Sequence, residues 1–463
     1  MLHRLIAFPA KIEMACQMSR KTRNEFCDGI SRRGLLQAGL GGFIGLSMPQ
    51  LLKLQAASAA ESGSAVAHPL DTAVIYLEQA GGPTQHETYD PKPNAAIEYR
   101  GPLGAVSTKL PGVSFCELMS KQAAIADRLA IIRSIHHNSS SHGTSSHMTQ
   151  TGYYLNDNQN RNNEMPCIGS YAMRLRGANA KGVPAFVSIP QSMRFGRAAW
   201  LGKGNNPLET SRSADDSRFE VPNLTLLKGI DESRLADRRG LLSGFDAARK
   251  IVDNHGAAEA TDEFTRQAFE MVTGDAARNA FAIDEETDAT RDRYGRNSIG
   301  QNVLLAKRLV ERGVTFVTVR VSTLGSWDDH TGIEKRMKAK GPALDQAIAS
   351  LVTDLYETGL QKKVMVVAMG EFGRTPRVNK SAGRDHWGRV MSVLMSGGDL
   401  KVGQVVGASD SSGGVPVESP YRPENVLALL YRHLGIDPSL TFNDNAGRPR
   451  YLLETRELIS ELV

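Results

Sequence analysis

Apolar runs of strand length alternate with helical segments that end at glycine, and this alternation constrains the fold most strongly. Residues 298–312 and 342–359 have helical patterns. Each of these segments ends at a glycine directly before an apolar run, at 315–321 and at Val364–Met369. Further runs of this kind occur at 73–77, 129–135 and 390–395. A helix joined through glycine to a strand, twice in succession, is typical of right-handed crossovers in a parallel sheet. The sequence therefore predicts an α/β fold with a central, mostly parallel sheet sandwiched by helices.

Carboxylates and imidazoles follow the ends of two of these runs. The residues are Asp328, Asp329, His330, Glu371, Asp385 and His386. In an open α/β sheet, ligands bind in the crevice beyond the carboxyl ends of the strands. Oxygen and imidazole donors from separate strands suit a divalent metal, for which zinc, manganese, magnesium and calcium are the candidates. The sequence predicts a metal-supported site at this edge of the sheet.

A histidine-rich loop follows the run at 129–135. Four of the chain's eleven histidines fall within twelve residues there: His136, His137, His142 and His147. The same loop is rich in serine and threonine, so an ordinary capped start of a helix is the alternative interpretation. Clustering of this density favours a functional loop. We expect His137 and His147 to contribute to the metal site.

Two arginines, Arg374 and Arg384, lie beside the predicted ligands in the sequence. A guanidinium group pairs bidentately with phosphate or sulfate, so both are candidates for binding an oxyanion. A structural or surface ion pair is the alternative for each of them.

The first 59 residues have the pattern of an export leader. Residues 31–36 read SRRGLL, close to a twin-arginine motif, and small residues at 57–59 offer a cleavage site. A membrane anchor is the alternative, and it is disfavoured because the apolar stretch is short and broken by glycine, proline and lysine. We expect a twin-arginine signal peptide over 1–59, the twin-arginine export machinery as a partner, no stable membrane insertion, and a periplasmic or secreted protein.

The distribution of charge agrees with this division. Residues 1–59 contain eight basic and three acidic residues, which account for the whole formal net charge of +5. A neutral body gives no case for nucleic-acid binding. We expect residues 60–463 to form a single domain with an insertion near 156–285, where the regular alternation is lost. Of the two cysteines beyond the leader, Cys116 and Cys167, one disulfide is possible, but two buried thiols are expected.

Seven stretches of the chain together resemble one family of secreted bacterial proteins. They read GGPTQHETYDPKP, SIHHNSSSHGTSSHMTQTGY, RDRYG, WDDHTG, MGEFGRTPRVN, GRDHWG and KVGQVVGASD. The family is catalogued as domain of unknown function fifteen-oh-one (DUF1501) and is grouped with the alkaline phosphatase and sulfatase superfamily. The resemblance covers residues 73–434. It implies an alkaline phosphatase-like fold, two metals at strand ends, and a Ser, Thr or Cys nucleophile that attacks phosphorus or sulfur.

The metal segments match this superfamily in part. Asp328 or Asp329 with His330 resembles its Asp…His-x-Gly segment, and His386 resembles its last metal histidine. Glu371 stands where the superfamily usually has Asp, and the histidine expected next to it is replaced by phenylalanine.

Two departures concern the chemistry more directly. Glu78-Gln79 stands where the first strand is expected to end in a metal-binding Asp, and His142 falls at the position of the expected nucleophile. We therefore expect His142, Ser141 and Thr144 at the catalytic centre, because a one-residue shift of the loop would present either hydroxyl. Without an evident nucleophile, attack by a metal-activated water is simpler than a covalent intermediate.

The expected activity is hydrolysis of a phosphate or sulfate ester in a small molecule or polysaccharide. The alternative is a catalytically degenerate binding or scaffold module. The chain has no H-E-x-x-H or G-x-S-x-G motif for a peptidase, and no C-x-P-x-R sulfatase signature around its cysteines. Glycosidase chemistry would leave the histidine loop unexplained. The enzyme hypothesis requires His142 to converge with the strand-end carboxylates, whereas the scaffold hypothesis does not.

Overall fold

The computed structural model describes residues 71–221, 224, 270–271, 274–322 and 326–463. These residues all belong to one compact unit. The predicted leader and the middle of the predicted insertion lie outside the described residues.

Eight strands of the described chain form one sheet, and we number them in chain order. They are β1 (Ala73–Glu78), β2 (Ala130–Ile135), β3 (Phe186–Ile189), β4 (Leu208–Glu209), β5 (Phe316–Arg320), β6 (Val364–Met369), β7 (Met391–Gly397) and β8 (Gln404–Val406). Their order across the sheet is β8-β2-β7-β6-β1-β5-β3-β4. Five of the seven adjacent pairs are parallel, and β7 is antiparallel to both of its neighbours. The predicted fold class, with a mostly parallel sheet, is confirmed.

Helices cover both faces of the sheet. The α-helices are α1 (Ile97–Arg100), α2 (Ser120–Ala124), α3 (His142–Thr151), α4 (Ile168–Arg176), α5 (Asp275–Phe281), α6 (Asp288–Tyr294), α7 (Ser298–Glu311), α8 (Ile333–Glu357) and α9 (Pro423–His433). Four two-stranded ribbons lie outside the sheet: Ala105–Ser107 with Ser114–Cys116, Gly373–Arg374 with His386–Trp387, Ala408–Ser409 with Pro416–Glu418, and Thr441–Asn443 with Pro449–Tyr451. No helix among the described residues is long and apolar enough to cross a membrane.

The central strands are apolar at nearly every position because both faces of the sheet are buried. Along β1, Ile75 and Leu77 pack in the core that contains α7 and α8, whereas Val74 and Tyr76 pack in the core that contains α4 and α9. The two cysteines are free and buried, one in each of these cores, as predicted.

The structure corrects two expectations about chain organisation. The stretch 156–285 is not wholly an insertion over the sheet, because β3 pairs with β5 inside the sheet and α4 packs beneath it. The helix expected at 342–359 begins nine residues earlier, at Ile333, and Pro342 lies inside it. Proline suits the first turn of a helix, and that preference placed the expected start too late.

Helix α4 begins directly on the ring of Phe186 in β3. A Cβ atom on Gly169 would lie 2.4 Å from Cζ of that ring. In most helices, Gly→Ala stabilises by removing backbone freedom from the unfolded chain. At Gly169 the contact with the ring of Phe186 opposes this gain. The sign of the change in stability therefore depends on whether the ring can move aside.

We expect Gly169→Ala to lower the free energy of unfolding by about 1–3 kcal/mol because of this overpacking. Urea unfolding measures it, and the same substitution in a Phe186→Leu background is the control. In that background the loss is expected to shrink. An equal loss in both backgrounds would exclude the contact as the cause.

Candidate metal centre

Four chain segments meet beyond the carboxyl ends of β1, β5 and β6. Helix α3 begins at His142, after the loop that follows β2, and Asp328 lies in the segment that follows β5. Glu371 follows β6 after one glycine, and His386 pairs with Arg374 in a short antiparallel ribbon. Because β1, β5 and β6 are adjacent and parallel, their ends bring these segments to one edge of the sheet.

The Asp328 carboxylate is the common neighbour of three imidazoles. Its Oδ1 lies 3.0 Å from Nε2 of His330 and 3.0 Å from Nε2 of His386, and its Oδ2 lies 3.2 Å from Nε2 of His142. Arg374 donates to the same Oδ1 at 2.6 Å. Burial by itself would raise the pKa of Asp328, but the hydrogen bond and charge of Arg374 hold that pKa well below its usual range. Asp328 is therefore an anion throughout the physiological pH range.

Each of the three imidazoles donates the hydrogen on its other ring nitrogen, Nδ1, to an acceptor. The pairs are His142 with Glu371 Oε1 at 2.7 Å, His330 with Asp385 Oδ1 at 2.7 Å, and His386 with the Ser140 carbonyl at 3.0 Å. A carbonyl or an ionised carboxylate can only accept, so Nδ1 carries a hydrogen in each ring. In a neutral ring Nε2 then carries a lone pair, and it faces Asp328. An acceptor on the far nitrogen is the usual arrangement that orients metal-binding histidines.

When both rings are neutral, the Nε2 lone pairs of His330 and His386 face each other across a short gap. Their Nε2 atoms are 3.0 Å apart, and both lie 3.0 Å from Asp328 Oδ1. Three acceptor atoms in this arrangement repel one another unless a proton or a cation lies among them. One ligand atom each of His142, Asp328 and His386 also lie within 4.8 Å of one another. This spacing fits a single ion bound at about 2.0–2.2 Å, so the donor set fits a divalent cation.

The imidazole pKa values respond to these contacts in opposite directions. The hydrogen bond to Glu371 raises the pKa of His142, against the effect of burial. For His386, burial dominates and lowers the pKa, although the hydrogen bond to Asp328 opposes it. The hydrogen bond from His330 lowers the pKa of the Asp385 carboxyl. Of His142 and His386, His386 is therefore the ring that releases a proton to a cation more readily.

Glu371 supports the cluster through its hydrogen bond with His142. The Gly81 N–H group donates to both carboxylate oxygens, at 2.9 and 3.0 Å, and His142 donates to Oε1. Gly81 has a φ of +107°, and a Cβ there would lie 2.6 Å from the backbone nitrogen of Asp328. Only glycine permits this approach. The structure therefore makes Glu371 an orienting partner of His142, whereas the sequence predicted a direct metal ligand.

Asp329 does not join the cluster, contrary to the prediction. Its side chain is 2% exposed, and Lys340 Nζ lies 2.7 Å from its Oδ2. Burial lowers the pKa of Lys340, and the Asp329 charge opposes that effect. The two consecutive aspartates therefore have different roles, because Asp328 faces the imidazoles and Asp329 neutralises a buried lysine.

His137 and His147 also lie outside the cluster, contrary to the prediction, because both nitrogens of each ring are engaged. Nε2 of His137 donates to the Glu371 carbonyl at 2.6 Å, and Nδ1 accepts from the Ser139 N–H group at 3.2 Å. Burial lowers the pKa of His137 to about 4, which keeps the ring neutral. Nδ1 of His147 donates to a backbone carbonyl at 2.6 Å, and its Nε2 accepts from two backbone N–H groups at 3.2 and 3.3 Å.

Arg374 and Arg384 are both fully buried, so neither reaches a substrate oxyanion, contrary to the prediction. Arg374 donates to Asp328 and to four backbone carbonyls. Arg384 donates to the Glu87 carboxylate and to three backbone carbonyls. Both arginines therefore have a structural role, which was the alternative to oxyanion binding.

The two candidate hydroxyl nucleophiles are not joined to the cluster by any contact among the described residues. Thr144 donates to the Asn158 side chain, and Ser141 is the exposed N-cap residue of α3. His142 occupies the first position of the helix instead. It acts there as a candidate ligand rather than as the catalytic group that the sequence predicted.

Sequence reasoning missed the groups that orient the rings. The Ser140 carbonyl and the Gly81 N–H group are backbone atoms, which leave no signature in the sequence. Asn379 donates to Asp385 Oδ1 at 3.1 Å and to the His330 carbonyl at 3.0 Å. Its presence in one of the motifs that resemble the family was the available signal.

A buried carboxyl lies at the end of β1, near this edge. Glu78 is 5% exposed, accepts from Gln150 at 3.0 Å, and lies 3.2 Å from Nε of Arg320 without a hydrogen bond to it. Burial raises the pKa of Glu78 from 4.5 to about 7, although the Arg320 charge opposes the shift. Between pH 4.5 and about pH 7, the folded protein therefore holds a proton at Glu78 that the unfolded chain releases.

Comparisons with known proteins agree with the resemblance noted in the sequence. A family model described as protein of unknown function (DUF1501) matches residues 71–463. No curated protein sequence matches this chain.

Several solved structures are similar at low identity. A structure reported for glycosaminoglycan metabolism by Bacteroides thetaiotaomicron is 11% identical, with 80% of this chain and 74% of that chain covered and a TM-score of 0.36. Ps i-CgsB in complex with a neocarrahexaose is 10% identical, with 79% and 72% covered and a TM-score of 0.36. The PsFucS1 sulfatase from Pseudoalteromonas sp. is 12% identical, with 85% and 72% covered and a TM-score of 0.31. TM-scores this low do not support a transfer of chemistry, so the function rests on the geometry of the site.

The different environments of the two aspartates predict different effects of the same substitution. Asp328→Asn is expected to lower zinc affinity at least ~10-fold, because it removes the carboxylate at the centre of the cluster. Asp329→Asn is expected to leave zinc affinity unchanged and to destabilise the fold by about 3–5 kcal/mol, because Lys340 loses its partner. Zinc titration and urea unfolding of both variants measure this. Loss of zinc binding in Asp329→Asn at unchanged stability would contradict the assignment.

The raised pKa of Glu78 predicts a pH-dependent stability. A carboxyl whose pKa is higher in the folded state stabilises the fold below pH 4.5, and this contribution is lost as the pH rises to about 7. As the pH rises from 4 to 8, we expect the free energy of unfolding of Glu78→Gln to increase relative to that of wild type, by up to about 3 kcal/mol. Urea unfolding across this range measures it, with Glu334→Gln, an exposed position of α8, as the control. A difference independent of pH would refute the assignment.

Proposed function

The chain belongs to the DUF1501 family, and we propose that it is a metal-dependent hydrolase of phosphate or sulfate esters. In this proposal a single divalent ion is held by His142, His330, His386 and Asp328. The export pattern of residues 1–59 supports a location outside the cytoplasm, with a small molecule or a polysaccharide as the ester substrate.

The observation that carries the proposal is the contact between His330 and His386. Their Nε2 atoms lie 3.0 Å apart, and both Nδ1 hydrogens are already donated, to Asp385 and to the Ser140 carbonyl. Two ring lone pairs held together beside a carboxylate repel one another unless a proton or a cation lies among them. A divalent ion converts the same contact into a binding site.

One ion, rather than the two of the alkaline phosphatase superfamily, matches the donors present. Asp329 is neutralised by Lys340, Glu371 is bonded to Gly81 and His142, and the rings of His137 and His147 have no lone pair left. Three imidazole nitrogens with one carboxylate favour zinc over magnesium and calcium, which prefer all-oxygen sites.

The exposure of the ligands supports a catalytic site rather than a structural one. The side chains are 29% exposed at His142 and Asp328, 24% at His386 and 42% at His330. A structural zinc site is closed, whereas a catalytic one keeps a position for water or substrate. The cluster is therefore open to an ester from the solvent side.

The chain's own residues fit hydrolysis by direct attack of water. A bound divalent ion supplies Lewis acidity, which polarises the ester and makes water a better nucleophile near neutral pH. Arg374 fixes Asp328 and offsets part of its charge, and Glu371 and Asp385 fix the rings of His142 and His330. The water oxygen forms the new bond to phosphorus or sulfur, the bond to the ester oxygen breaks, and the leaving alkoxide takes the proton that the water loses. No covalent link to the protein is needed, which agrees with the occupation of the helix start by His142.

We expect the purified protein to bind close to one zinc per chain and to hydrolyse an aryl phosphate, phosphodiester or sulfate ester after metal loading. His386→Ala is expected to abolish tight binding, and Glu371→Gln to weaken it ~10–100-fold by releasing the ring of His142. His136→Gln is the matched control, since this residue belongs to the same loop without contacting the cluster. Metal analysis after dialysis and a panel of ester substrates measure both properties.

Two results would count against the proposal. Wild-type protein that takes up no divalent ion would leave the cluster without its function. Zinc-loaded protein that is inactive on every ester of the panel would favour the alternative, a binding or scaffold module on a degenerate enzyme fold.

A further inference from the structure

A hydrolase of phosphate or sulfate esters needs a cationic group for the oxyanion in addition to the metal. The two arginines predicted for this role are buried and fully engaged. Arg320 lies at the end of β5, with its Nε 3.2 Å from the buried carboxyl of Glu78 and without a hydrogen bond to it. A group other than the two buried arginines must therefore meet the substrate's charge.

Arg194 lies beside the start of α3 and is exposed. A Cβ atom placed on Gly143 would lie 3.6 Å from Nη2 of Arg194, so the guanidinium group reaches the residue directly after His142. The backbone position of Arg194 is held from both sides, because the N–H group of Phe195 donates to Gln150 of α3 at 2.8 Å and the ring of Phe195 packs on His147. The arginine is thus fixed against the same helix that presents His142.

The guanidinium group of Arg194 has no carboxylate and no hydrogen-bond acceptor among the described residues. Its one contact is with the ring of Phe195, at 5.5 Å from the ring centre. The Ser141 side chain makes no capping hydrogen bond at the helix start. An arginine that is anchored at its backbone and free at its tip, next to a candidate metal ligand, has its full set of donors for an anion.

We infer that Arg194 binds the tetrahedral oxyanion of the substrate, in an inference that rests on the proposed hydrolase function. An ester bound at the cluster beside His142 lies next to Gly143, the residue that Nη2 of Arg194 approaches. A guanidinium group binds two oxygens of phosphate or sulfate through parallel N–H donors. Arg194 therefore favours tetrahedral anions that present two free oxygens, and its contribution is to substrate affinity rather than to metal binding.

The test is titration of inorganic phosphate, and separately of inorganic sulfate, into zinc-loaded and metal-free protein, by calorimetry. Arg194→Gln is expected to weaken binding of the preferred anion ~10–100-fold, the usual effect of a lost hydrogen bond to a charged group. Arg194→Lys keeps the charge without the two-pronged donor and is expected to fall between wild type and Arg194→Gln. Arg197→Gln is the matched control, because Arg197 lies three residues away and pairs with Glu209. Stronger binding of phosphate or of sulfate by the wild type identifies which ester the site takes.

Metal content, measured on every variant, separates this inference from the proposed function. Unchanged zinc in Arg194→Gln together with weaker anion binding supports the inference. Equal anion affinity in Arg194→Gln and wild type, or an equal loss in Arg197→Gln, overturns it. Wild type that binds neither anion in either form also overturns it, whereas failure of the wild type to bind zinc refutes the metal site by itself.

Discussion

Five hydrogen-bond contacts of one buried guanidinium group, made through Nε, Nη1 and Nη2, hold the candidate centre together. Arg374 donates to the carbonyls of Gly81 and Gly82 after β1, to the Trp327 carbonyl after β5, and to the Arg384 carbonyl in the loop before His386. Its remaining contact is the Asp328 carboxylate at 2.6 Å. Three segments that are distant in sequence are thereby fixed around one anion. A buried guanidinium group is tolerated only when all of its donors are satisfied, so the segments and the arginine depend on each other.

This constraint explains why the site differs from the one implied by the superfamily resemblance. With Arg374 buried behind Asp328, the charge that the sequence offered for the substrate is used to place a ligand. With Asp329 paired to Lys340 and Glu371 bonded to Gly81, two carboxylates are removed from the set of donors. What remains is a cluster rich in imidazole, in which each ring is oriented by a second group. The proposed site is therefore one for a single nitrogen-preferring ion, at the open edge of a mostly parallel sheet.

The fold was predictable because it depends on periodic signals. The run at β6 has the same bounds in the sequence analysis and in the structure, and both faces of the sheet are buried, as its unbroken apolar pattern indicates. For the site, only the clustering of the strand-end residues was predictable, because the carboxyl ends of parallel strands meet at one edge of the sheet. The contacts that each side chain makes there were not predictable. Which of Asp328 and Asp329 faces that edge depends on Lys340, eleven residues farther along in α8. Sequence spacing carries no information on such a choice, nor on the Ser140 carbonyl that sets the orientation of His386.

The central claim is that three pre-oriented imidazoles and Asp328 bind a single ion. X-ray absorption at the zinc edge of the zinc-loaded protein measures this directly, because it reports the number of imidazole ligands and any second metal nearby. We expect a shell with about three imidazole nitrogens and one carboxylate oxygen at ~2.0–2.2 Å, and no zinc–zinc distance at ~3.5–4 Å. A shell with one imidazole or none, or a second metal at that distance, would contradict the account.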